Sequence, residues 1–151
     1  MTTITNRRSL GSLRTPLTAA ALGFAVYVVA MSTGERLDLN ANPDATSMGV
    51  SEWAAGAAVA LTGAGIAVWS GGRALAGTNA RLAKTALVLS LVAAATFVVF
   101  WAGWSNIFGA VAVVLAVEHR RRAASFSATA AISLVVASCI FVAATYLCVT
   151  G

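Results

Sequence analysis

Charge is what this 151-residue chain has least of: Asp, Glu, Lys and Arg together make up 10% of it, against 59% hydrophobic residues, and the mean hydropathy is +0.84. So few charged side chains cannot clothe a water-soluble core, which excludes an ordinary soluble domain and points to a bilayer as the solvent. Histidine is scarcer still. His119 is the only one, so a haem held by two histidines of one chain is excluded, and beside Arg120, Arg121 and Arg122 it reads as a solvated interfacial side chain. The two cysteines, Cys139 and Cys148, form no Cys-x-x-Cys pair. On one helix their spacing puts them on opposite faces and about 13 Å apart along the axis, too far for a disulfide. Cys139 is expected in the core; Cys148 is expected near an outer, oxidising face, where pairing between chains is the alternative. No Ser, His and acid are spaced as a triad, so the expectation is a protein without catalytic residues, cofactor or metal.

Apolar length is what the chain has instead. No charged residue falls between Lys84 and Glu118, and residues 82 to 119 as one straight helix would be about 57 Å long, roughly twice the hydrocarbon thickness of a bilayer. The run must turn back, and Trp101-Ala102-Gly103-Trp104-Ser105-Asn106 is the stretch with turn character. With its flanks it predicts an all-α fold: a polytopic integral membrane protein, a single transmembrane domain with five helices spanning about 17–33, 52–70, 82–101, 104–119 and 125–149. Residues 1–15 are expected as a polar tail, and Pro16 at the first turn of the first span, where its missing N–H costs nothing. A cleavable leader is the alternative for that span, because Arg7 and Arg8 precede an apolar stretch ending in Val28-Val29-Ala30, and Arg7-Arg8-Ser9-Leu10 resembles a twin-arginine signal. Ser51 is the expected cap of the second helix, with Glu52 in its first turn, and Gly71-Gly72-Arg73 should open a loop that Arg81 and Lys84 close. Trp53 and Trp69, about 24 Å apart along a helix, place one indole near each interface.

The polar connection 34–51 holds Asp38-Leu39-Asn40-Ala41-Asn42-Pro43-Asp44, with oxygen side chains at alternate positions as in a calcium loop. Pro43 stands where such a loop needs Gly, and Gly49 where it needs a bidentate Glu, so the reading is an exposed Asn/Asp-rich loop.

The charges test the topology. With five crossings and the N-terminus inside, nine of the ten Lys and Arg residues fall on inner segments, the exception being Arg36, and four of the five acids fall outside, the exception being Glu118. That is the positive-inside pattern and predicts N-in and C-out in a plasma (inner) membrane. Arg73, Arg81, Lys84, Arg120, Arg121 and Arg122 would then gather anionic lipid headgroups at the inner face, besides setting orientation. The basic residues form clusters separated by apolar spans and no continuous stripe, so nucleic acid is not an expected partner.

Small residues recur at every fourth position: Gly56, Ala60 and Ala64 in the second span, Ala86, Ser90 and Ala94 in the third, Ser105 and Gly109 in the fourth. In lipid, close backbone approach at such positions is a main source of helix association, so these are the expected packing sites, within the chain or between copies. No ionisable residue sits mid-span, which argues against a pump or antiporter. Two functions remain. The first is a structural or accessory component packing beside other membrane proteins. The second is a homo-oligomeric channel or facilitator lined by Ser90, Thr96, Ser105 and Asn106. The Ala- and Val-rich composition suggests a bacterial source.

Overall fold

The segment that carries the arginine triplet turns out to be the one the others surround. The computed structural model describes residues 4–37, 39 and 49–150, with side chains from residue 15 onward. It has five α-helices: α1 Ile4–Arg36, α2 Val50–Leu75, α3 Asn79–Ala95, α4 Trp104–Ala123 and α5 Ala128–Thr150, with a 3₁₀ segment Thr96–Ala102 prolonging α3. Helix α4 packs against each of the other four. Its Ile107, Val111, Ala112, Leu115 and Ala116 are fully buried, whereas the outer helices expose Leu22, Val29, Leu61, Ile66, Leu91, Val135 and Val142.

Each helix runs opposite to the one before it. Gly23 of α1 lies against Asn106, Gly71 of α2 against both Pro16 and Val111, and Gly34 against Val149 of α5. One end of the bundle therefore collects the start of α1, the α2–α3 link, the end of α4 and the start of α5. The segments Thr15–Arg36, Val50–Leu75, Asn79–Ala102 and Ala128–Thr150 are long and apolar enough to cross a membrane. Helix α4 is not, because Glu118 and Arg120 to Arg122 are part of it, which leaves residues 104–117, about 21 Å, apolar against roughly 30 Å of hydrocarbon.

Several local expectations are corrected. Pro16 lies well inside α1, which starts at Ile4, and the expected tail is helical from there. Gly71 and Gly72 are not loop residues but buried in α2, where the missing side chain at Gly71 makes room for Pro16 and Val111. The link to α3 is the short Ala76-Gly77-Thr78, and Thr78 Oγ1 accepts from the Arg81 N–H at 3.3 Å as N-cap, so Arg81 and Lys84 are helical. Helix α2 begins one residue before Ser51: Gly49 is the N-cap, and the Glu52 carboxylate accepts the Gly49 N–H at 2.8 Å, satisfying a donor the helix cannot. The calcium-loop pattern at Asp38 to Asp44 lies outside the described residues, Leu39 excepted.

The hairpin turn is at Gly103, whose φ of 71° is open to a residue without Cβ. It lies inside the bundle. Trp104, the next residue, bonds to Val59, nine residues into α2 and about 14 Å from that helix's start.

Candidate functional site

Polar groups converge on this inward turn. The Tyr27 hydroxyl donates to the Trp101 carbonyl at 2.6 Å, and its ring covers Gly103. Trp104 Nε1–H donates to the Val59 carbonyl at 2.8 Å, its indole lying in the space left by Gly63. One turn further, Asn106 Nδ2 donates to Thr145 Oγ1 at 2.8 Å, and that hydroxyl donates to Phe141 O. Ser105 Oγ lies 3.4 Å from Thr96 Oγ1. These contacts bind α1, α2, the 3₁₀ segment and α5 to the start of α4. Irregular backbone in an apolar solvent is stable where protein encloses it; Ala102 and Gly103 are buried under these side chains and rings, while Val98 and Trp101 of the 3₁₀ segment are exposed.

The chemistry here is neutral. Hydroxyl and amide groups donate and accept hydrogen bonds, the indole N–H only donates, and none of them holds a charge. Among the described residues, no three His, Cys, Asp or Glu side chains are grouped as metal ligands would be. Among the described residues, three buried side-chain atoms have no hydrogen-bond partner: Asn106 Oδ1, Ser133 Oγ and His119 Nδ1. His119 was expected to be solvated but is only 5% exposed; α4 carries it inward while its neighbours Arg120 and Arg121 stay outside. Cys139 departs from its expected place in the core. Cys139 is exposed and Cys148 is buried, its thiol directed at Phe100 O at 3.9 Å. The periodicity put them on opposite faces but held no information about which face turns inward.

The small-residue positions divide. Ala60, Ala86, Ser90 and Ser105 are fully buried, and Gly109 of α4 packs against α5, where an added Cβ would be 3.3 Å from Ala137 O. Gly56, Ala64 and Ala94 are half-buried. The buried face of α2 includes Ala60, Gly63, Ala67, Gly71 and Ala74, a stripe that mixes three- and four-residue steps. A strict four-residue repeat drifts off such a face, which is why only Ala60 of it is fully buried and Ala64 packs at the edge of the core.

The six basic positions share the end described above and are not equivalent. Arg122 bonds Glu118 at 2.9 Å and caps the Leu75 carbonyl at 3.0 Å, tying α4 to the end of α2. Arg121 lies 3.8 Å from Glu118, while Arg120 stacks on Phe126 at 5.1 Å and Arg73 on Trp69 at 4.8 Å. Arg81 and Lys84 are exposed.

Tyr27, Thr145, Gly23, Gly34 and Gly63 are the contact residues that sequence reasoning missed. Gly23, Tyr27, Ala30 and Gly34 recur at helical spacing in the first span, and that pattern would have found the α1 face. Thr145 carried no such mark. No family model, curated protein or solved structure matches the chain.

Proposed function

We propose that the protein is a structural or accessory component of a bacterial plasma membrane, packing beside other membrane proteins. It crosses five times, with the N-terminus inside and the C-terminus outside. Its basic end faces the anionic headgroups of the inner leaflet through Arg73, Arg81, Lys84, Arg120, Arg121 and Arg122. Helix α4 supplies the fifth crossing although its apolar part is short, because its neighbours rather than lipid surround it.

One observation carries this reading: α4 fills the axis of the bundle with fully buried Val111, Ala112, Leu115 and Ala116 while the outer helices present apolar faces. The channel reading needs hydroxyls facing a pore between copies. Ser90, Ser105 and Asn106 are instead buried within the single chain, Ser90 donating to Leu87 O at 2.8 Å and Thr96 to Val92 O at 2.8 Å, which weighs against it. Purification in mild detergent with mass measurement separates the two. The proposal expects other membrane proteins in fixed ratio with this chain; a pure homo-oligomer carrying solute flux in liposomes would favour the channel.

A further inference from the structure

A cleft of about 500 Å³ runs between α1 and α2 on the outer surface, lined by Leu17, Phe24, Leu61, Gly65, Val68 and Trp69 among others. Its walls are apolar, and its floor is open at Gly65, where an added Cβ would meet nothing within 4 Å. From Trp69 to Leu61 it extends about 12 Å along α2, close to the roughly 15 Å of hydrocarbon in one leaflet.

The two ends of the cleft differ. At the basic end the Arg73 guanidinium is stacked 4.8 Å above the Trp69 ring. Stacking engages the face of the guanidinium rather than its N–H groups, Arg73 is exposed, and among the described residues no carboxylate pairs with it. A held guanidinium with free donors is a phosphate-binding group. The second cleft, about 380 Å³ between α1 and α5, is equally apolar but reaches Thr33 and Val149 at the opposite end of the bundle. Arg36 lies one turn beyond Thr33 and is exposed, but among the described residues no aromatic ring holds it as Trp69 holds Arg73.

We infer that the α1–α2 cleft is a binding site for one anionic phospholipid, with an acyl chain along Gly65 and the headgroup phosphate on Arg73. The inference rests on the reading of the chain as membrane-embedded and deepens it from a general attraction of headgroups to a single seat. Trp69 has two roles there, wall for the chain and platform for the guanidinium.

The test uses the full chain in nanodiscs of equal parts phosphatidylglycerol and phosphatidylcholine, with native mass spectrometry counting the lipid retained on release. The wild type should keep one phosphatidylglycerol in preference to phosphatidylcholine. Gly65→Leu fills the cleft from a position with open space, so it should lose that lipid while the lipid-free thermal midpoint stays unchanged. Arg73→Gln should keep the acyl seat and lower the preference for phosphatidylglycerol about fivefold, as expected for one basic group at a membrane surface. Equal retention of the two lipids by the wild type, or wild-type retention by Gly65→Leu, would overturn the inference. So would a wild-type dimer that Gly65→Leu converts to monomer, which would seat a second copy in the cleft. The sample holds only chain and lipid, so failure of the accessory-protein reading would leave the count unaffected.

Discussion

Tyr27 donates its hydroxyl to the Trp101 carbonyl at 2.6 Å, joining α1 to the hairpin turn across 74 residues of sequence. The carbonyl belongs to the 3₁₀ segment, where the regular α-helical ladder has ended, and the same ring covers Gly103. Tyr27→Phe keeps the ring and removes only the donor. Leaving the partly buried carbonyl without this donor should cost about 1 kcal/mol, read as a lower thermal midpoint in detergent. Tyr146→Phe, at an exposed tyrosine, should leave the midpoint where it was. Equal effects would mean that Tyr27 does not hold the turn.

Glycines at helix crossings give a second contrast. A Cβ at Gly23 would stand 2.7 Å from Asn106 O and 3.0 Å from Ile107 Cα, both backbone atoms, so the helices themselves must separate. Gly23→Ala should therefore cost about 1–3 kcal/mol, as overpacking does. Gly65→Ala, facing open space, should be neutral or slightly stabilising. The paired midpoints check this, and the reverse order would contradict the α1–α4 crossing.

The cysteines report the rotation of α5 directly. In the folded protein in detergent an apolar maleimide should label Cys139, and Cys148 only after unfolding, because the one is exposed and the other buried. Cys139→Ser should abolish labelling of the folded chain and Cys148→Ser should preserve it. Labelling that follows Cys148 would turn α5 by half a revolution.

The same cysteines mark where sequence reading stops. Their helical spacing is a property of one element and could be read; which face turns inward depends on neighbours distant in sequence. The all-helical class and the apolar helices were legible for a similar reason, since hydropathy over twenty residues is local. Gly71-Gly72 was misread because a glycine pair signals a turn in water, while between membrane helices it marks close approach to Pro16 and Val111. Ser51 lost its role as cap to Gly49 because Glu52 reaches back to the earlier N–H. The inward turn at Gly103 needed the contact with Val59, and no spacing within the hairpin carries that depth. Of the six basic positions, only the structure distinguishes Arg122, bonded to Leu75, from Arg73, stacked on Trp69.

The central claim is five crossings with the basic end in the cytosol, and paired reporter fusions test it most directly. Gly77 lies in the link at the basic end and Gly151 follows α5, whose other end begins beside that same face. A reporter that works only outside the cytosol should be active after Gly151 and silent at Gly77, and one that works only inside should give the opposite pattern. Activity of both fusions with the same reporter, or the inside reporter active after Gly151, would contradict the five-crossing N-in, C-out arrangement.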